Sequence, residues 1–206
     1  MDKGMVSKEI LVAKMKELIT NQDGPFSIAV IDIDNFNVIN QTYGEQFGNE
    51  VVKKLTSIFK QNISSIDMIT KRGDEFDILL VRKGAERSFM EMEEMRRYLS
   101  DNFFNFSFNN KTENVYITFS CGIASYPRDA KNAVELFRVA DSAMFRAKKL
   151  GKNKVCLSEV ESMVLKSSYF TKTQVDRLAA LSKELEKTEA FLLRESLDDL
   201  FKKYSK

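Results

Sequence analysis

Two pairs of carboxylates are placed where they could do chemistry. Asp32 and Asp34 close the apolar run FSIAVIDID, and Asp74 and Glu75 follow a glycine in KRGDEF, between the apolar runs IDMIT and FDILLV. Acids at turns and strand ends are often simply solvated. If the two carrying strands are neighbours, however, Asp32 and Asp74 converge at one end of a sheet. Carboxylates gathered there with no basic partner between them are costly unless a cation neutralises them. Hard oxygen donors select magnesium, which completes its shell with substrate phosphates when few protein ligands are offered; a pair of such ions supports in-line attack of a hydroxyl on phosphorus. Spacing leaves both readings open, solvated acids and metal-dependent phosphoryl chemistry.

Composition narrows the alternatives. The 206 residues include no histidine, so the usual general base and the commonest zinc ligand are missing, which argues against triad hydrolases and zinc enzymes. Cys121 and Cys156 have no neighbouring Cys or His to form a metal set, and a structural disulfide is not expected. Chemistry must rest on Asp, Glu, Lys and Arg. A net charge of +2 implies no partner in bulk, so nucleic-acid contact would need a local patch. The start MDKGMVSKEI has no apolar signal core, and no apolar run approaches the roughly 20 residues of a membrane span. The expectation is a cytoplasmic protein without a membrane segment.

The elements that must position the acids read as follows. Residues 7–21 form an amphipathic helix behind Ser7, with Ile10, Leu11, Met15 and Leu18 at helical spacing. A buried strand covers 26–34, a helix EVVKKLTSIFKQ, and two strands IDMITK and EFDILLV joined by a tight turn at Arg72-Gly73-Asp74. Then come a long helix RSFMEMEEMRRYLSDNF, a strand VYITFSCGIASYP, a helix NAVELFRVADSAMFRAKKLG closed by Gly151, and a last strand NKVCL. The order αβαββαβαβ predicts an α/β (α+β) sandwich, helices flanking a mainly antiparallel central sheet. Composition changes after Leu157, which divides the chain into 1–158 and 159–206. The second part reads as an extended segment, then helices behind Thr171 and Thr188, with too little core to stand alone.

IDIDNFNVINQTYGEQFGNEVV, RGDEF, ITFSCGIASYP and ADSAMFRAKKLGKNKV, in this order and spacing, resemble the GGDEF domain of diguanylate cyclases over about residues 4–157. GMVSKEIL is similar to that family's degenerate opening. The resemblance implies a polymerase-palm-like fold in which two GTP-loaded domains face each other. Each 3′-hydroxyl then attacks the partner's α-phosphate to give cyclic di-GMP and pyrophosphate. It implies Asp32, the Ile33 carbonyl and Asp74 as ligands of Mg2+ (or Mn2+), with Glu75 beside the reaction centre. It also implies Asn40 on the guanine edge, Phe36 where backbone amides meet the phosphates, and Lys148 and Lys152 on the β and γ phosphates. Phe36 and Phe76 equally suit the core, and lysines at a helix end suit its dipole without any ligand.

The sequence departs from that family in five places. Arg72 stands for the first motif glycine beside Gly73, bringing a Cβ and a long side chain where the turn approaches nucleotide. Lys152 stands for an arginine, keeping charge but losing the fork. Asn49 replaces an aspartate that accepts from guanine; one acceptor and one donor now face two donors, which predicts relaxed purine selectivity. Asn37 replaces a lysine near the triphosphate, and Ser64-Ser65-Ile66-Asp67 lacks the arginine of the product-inhibition motif, so feedback there is not expected.

VLKSSYFTKTQVDRLAALSKELEKTEAFLLRESLDDLFKKY resembles a ribbon-helix-helix module, which implies Lys166, Ser167, Ser168 and Tyr169 as groove residues on DNA. Glu189 and the near balance of acids and bases favour a homodimerising helical hairpin without DNA. The leading expectation is a GTP-condensing cyclase acting as a homodimer. Its rivals are a catalytically degenerate nucleotide-binding domain regulating the appended module and a purely structural palm domain.

Overall fold

The first helix begins at its expected cap. Ser7 Oγ accepts the Ile10 amide at 3.4 Å, and α1 (Lys8–Asn21) buries Leu11, Met15 and Leu18. The structure, a computed structural model, describes residues 4–108, 111–159, 168–185 and 188–204, and the chain divides into two units, Met1–Glu161 and Ser162–Lys206. In the first unit, α1 is followed by β1 (Phe26–Ile33), α2 (Phe36–Tyr43), α3 (Glu45–Asn62), β2 (Met68–Arg72) and β3 (Glu75–Leu80). Then come α4 (Ala85–Asp101), β4 (Phe103–Phe108), β5 (Lys111–Tyr116), β6 (Phe119–Tyr126), α5 (Ala133–Lys149) and β7 (Lys154–Leu157).

Five strands lie in the order β2-β3-β1-β6-β7, antiparallel except for the parallel β6–β7 pair; β4 and β5 form a separate two-stranded sheet. Both faces of the main sheet are covered, which is why β1 is apolar along almost its whole length. Ala29, Ile31, Ile33, Phe76 and Ile78 face a core shared with α3 and α4, where Phe59 meets Phe76 and Phe119 edge-on. Ile28, Val30 and Leu79 face a second core with α1 and α5. The α/β sheet flanked by helices is therefore the expected fold.

Three elements, α2, β4 and β5, were not expected. α2 has eight residues, buries only Ile39, and starts at Asn35 in the left-handed region (φ 58°) with no side-chain cap bond, so it carries neither a cap nor a long periodic signal. The β4–β5 hairpin takes up the stretch between the expected long helix and the expected strand over 115–127, along with the last residue of the one and the first two of the other. The α4 helix stops at Asp101; Phe104 and Phe106 then turn inward while Phe103 stays exposed, a period of two and not 3.6. The strand expected over 115–127 is broken at Ile117 and Thr118, with Tyr116 ending β5 and Phe119 starting β6.

In the second unit, Thr171 and Gln174 form a capping box at α6 (Lys172–Glu184), and α7 (Glu189–Tyr204) follows. The extended segment before them falls mostly on residues 160–167, outside the described residues; Ser168–Phe170 form no strand. Val175, Leu181 and Leu185 of this unit are exposed, as are Leu193, Leu197 and Leu200. Among the described residues no helix is long and apolar enough to cross a membrane.

Candidate active site

Antiparallel pairing decides which residues meet. β1 ends at the same edge of the sheet as the start of β3, with Asp32 opposite Glu75, and the end of β2, with Arg72 opposite Glu75. The Ile33 amide donates to the Asp74 carbonyl at 3.4 Å, so Ile33 and Asp74 are adjacent. β6 starts at this edge, and the α5 crossover to the parallel β7 returns its last turn there. The turn between β2 and β3 has only Gly73 and Asp74 between its strands, and Gly73 takes φ +65°, a conformation that costs a glycine little. Residues 42 positions apart, Asp32 and Asp74, thus converge as the sequence predicts.

The expectation that no base lies among these acids is overturned. Lys148 Nζ, from the last turn of α5, is 2.6 Å from Asp32 Oδ2, and Arg72 Nη2 is 2.8 Å from Glu75 Oε2. Sequence reading missed the first pair because its partners lie on β1 and α5 and meet only through the crossover. Even so, burial pushes the Asp32 carboxyl above its ordinary range, and the Asp74 and Glu75 carboxylates add to this against the opposing pull of Lys148. An under-compensated carboxylate beside a second acid and a backbone carbonyl fits a hard divalent ion. Among the described residues no three acidic side chains gather on one point. An ion held by Asp32, Asp74 and the Ile33 carbonyl would therefore take its remaining oxygens from water or substrate, as Mg2+ ordinarily does.

Asp34 has a different role. It is buried and accepts from Thr118 Oγ1 at 2.9 Å, Ser120 Oγ at 2.7 Å and the Asn153 amide at 2.8 Å, tying the loop before β7 to the end of β1. That loop carries Lys152, whose Nζ donates to Asn35 Oδ1 at 2.5 Å. Lys148 and Lys152 are thus brought to the edge that holds the acids and the start of α2.

On α2 and α3, Phe36 packs partly buried against the core, and Asn40 is one turn further on. Asn40 Oδ1 is buried without a hydrogen-bond partner among the described residues, a state that calls for an external donor. Gly48 makes room for it, because a Cβ there would sit 1.9 Å from Asn40 Oδ1 and 3.1 Å from Phe36 Cζ. Gly48 was missed by sequence reasoning, although a glycine inside a helix is itself a signal of close approach. Asn49 and Asn37 are exposed on α3 and α2, and Arg72 points to solvent with 85% of its side chain accessible. Asp67, in the degenerate product-inhibition stretch, is buried and bound to Lys83 at 2.6 Å. Of the expected DNA-contacting residues, Lys166 and Ser167 lie outside the described residues, and Ser168 and Tyr169 are exposed in an irregular segment.

Residues 4–154 match the family profile described as diguanylate cyclase, GGDEF domain. The probable diguanylate cyclase DgcT of Escherichia coli is 31% identical over 144 residues, 68% of this chain and 30% of DgcT. The chain spans less than half the length of the curated relatives it matches. The active GGEEF domain of a diguanylate cyclase from Vibrio cholerae is similar at 27% identity with a TM-score of 0.66, covering 74% of this chain and 97% of that one. The GGDEF domain of DgcB from Caulobacter crescentus, solved with c-di-GMP, shares the fold at 23% identity with a TM-score of 0.68, over 75% of this chain and 89% of that one.

Proposed function

The chain belongs to the family of diguanylate-cyclase GGDEF domains, and on that premise we propose that it condenses two GTP into cyclic di-GMP with release of pyrophosphate. The observation that carries this reading is the convergence of Asp32, Ile33, Asp74 and Glu75 on one sheet edge with Lys148 beside them. Asp32, Asp74 and the Ile33 carbonyl would hold Mg2+ or Mn2+. Bound there, the ion polarises phosphoryl oxygens and lowers the pKa of an attacking hydroxyl. The residues of this chain bind and orient. Lys148 and Lys152 supply cations for the β and γ phosphates, and the amides at Phe36 bracket the phosphate path. Asn40 takes the purine edge with its unpartnered oxygen. The 3′-oxygen of one nucleotide attacks the α-phosphorus of the other, the bond to pyrophosphate breaks, and the hydroxyl proton leaves to solvent. Two such transfers close the ring, so two copies must face each other.

Asn49, an exposed amide beside Gly48, supports a relaxed purine preference, since it offers a donor as well as an acceptor. The second unit is proposed to be a ribbon-helix-helix-like dimerising or DNA-binding element. Its six exposed large apolar side chains named above favour dimerisation, which would raise the effective concentration of two facing sites. A second reading, a degenerate nucleotide-binding domain that regulates this element, draws on Arg72 at the first motif position and its pairing with Glu75. Turnover of GTP and of ATP is measured separately with Mg2+, products are identified by mass, and Asp74→Ala is run beside the wild type. Cyclic dinucleotide that vanishes in Asp74→Ala is the expected result. Nucleotide-dependent thermal stabilisation without product would select the second reading.

A further inference from the structure

Lys148 sits on the carboxylate of a residue that the proposed ion also needs. Its Nζ lies 2.6 Å from Asp32 Oδ2, with the Asp32 side chain 14% exposed and that of Lys148 30% exposed. The backbone below the lysine is fixed, because Ala143 and Ala147 of the same helix are buried against the sheet. The ammonium itself is not fixed. It is a compact charge on a flexible four-carbon stem and can change partner without moving the helix. Asp34, two residues on, shows the alternative: three donors, from the start of β6 and the loop before β7, lock it in place. Lys152 differs again, since it rests on the neutral Asn35 amide oxygen.

We propose that Lys148 is an exchangeable counter-ion that competes with a divalent ion for Asp32, and that, once displaced, it becomes the cation meeting the nucleotide's phosphates. The proposal rests on the nucleotide-site reading above. A divalent ion on the Asp32 carboxylate would stand beside the Lys148 ammonium, and like charges held side by side repel. Metal entry therefore weakens the Lys148–Asp32 pair, while a triphosphate offers Lys148 a new anionic partner. Each ligand thereby favours the other, and linkage makes the effect reciprocal. Lys148 acts here as a positioning residue for the metal, in addition to binding phosphate.

The test titrates Mn2+ into the full chain without nucleotide and reads free ion by electron paramagnetic resonance. Lys148→Met is expected to bind Mn2+ about tenfold more tightly than wild type, within the usual span of coupling effects. Lys148→Arg, which keeps the ion pair, should stay near the wild-type affinity. Lys152→Met should not change it, and Asp32→Asn should abolish binding at this site. Adding a non-hydrolysable GTP analogue should then raise Mn2+ affinity by a larger factor in wild type than in Lys148→Met. Exchange is overturned if Lys148→Met binds no more tightly than wild type, or if Lys152→Met tightens binding equally, which would reveal a general charge effect. Unchanged Mn2+ binding in Asp32→Asn would overturn it too, by placing the ion elsewhere. Should the ranking of the variants hold while no protein binds the analogue, the competition for Asp32 stands and the nucleotide reading is what fails.

Discussion

Both ends of the β2–β3 hairpin carry an acid joined to a base, but the two ends are built in opposite ways. At the end away from the site, Asp67 accepts the Ser64 and Val81 amides, each at 2.9 Å, and Lys83 Nζ at 2.6 Å; Lys83 also reaches Glu91 at 2.7 Å. The Lys83 and Asp67 side chains are 7% and 0% exposed. At the other end, Arg72 and Glu75 are paired at 2.8 Å with side chains 85% and 40% exposed. The buried end satisfies every charge it contains and so locks the hairpin. The open end leaves its acid with a solvent-exposed base that water can replace. An acid–base pair therefore anchors the chain in one place and stays open to solvent in the other, and burial with multiple donors makes the difference.

The comparison is broken most directly at the buried end. Lys83→Met leaves Asp67 charged and uncompensated in the core and should cost about 3 kcal/mol in denaturant unfolding, because the two backbone amides still hold the carboxylate. Adding Asp67→Asn removes the stranded charge and should recover part of that loss. A double variant as unstable as Lys83→Met alone would show that the cost is packing and not charge. Glu91→Gln is milder, since Glu91 is 25% exposed and its amide can still accept from Lys83. A loss of about 1 kcal/mol is expected, read from the same unfolding curves.

The sequence made some of this legible and hid the rest for physical reasons. The Ser7 cap, the β1 run, the hairpin turn at Gly73 and the meeting of Asp32 with Asp74 follow from local pattern and strand adjacency. The α2 helix was hidden because its start lacks a side-chain cap bond, and β4 because a helical pattern ran into its aromatic alternation. Resemblance marks Lys148 as a candidate for the phosphates, but its contact with Asp32 depends on where the α5 crossover ends. The aspartates at the end of β1 look equivalent in sequence; only the three donors around Asp34 and the lysine on Asp32 set them apart.

A smaller effect tests the open end through pH. Asp77, on the same strand face as Glu75, is pushed above the ordinary carboxylate range by burial, with Asp141 and Glu75 adding to this and Lys8, 3.3 Å away, opposing it. The folded chain therefore holds this proton at a pH where the unfolded chain has released it. Stability from this group is full below about pH 4 and falls as pH rises from there through the raised value. In Asp77→Asn the melting temperature should fall less over that window than in wild type. A variant that falls more steeply would mean that Lys8 outweighs the burial.

Arg72→Ala is the smallest expected change in stability and the sharpest contrast with Lys83→Met. The guanidinium is almost wholly in water and its partner Glu75 is itself partly exposed, so solvent replaces the lost pair at no measurable cost in melting temperature. Its effect should appear in ligand binding. With Arg72 gone, Glu75 loses its resident cation, and Mn2+ affinity should rise modestly, by less than in Lys148→Met, because Arg72 neutralises an acid beside the proposed ligands and not Asp32 itself. A drop in melting temperature comparable to that of Lys83→Met would overturn the distinction between the two ends, since it would show the exposed pair anchoring the hairpin as firmly as the buried one.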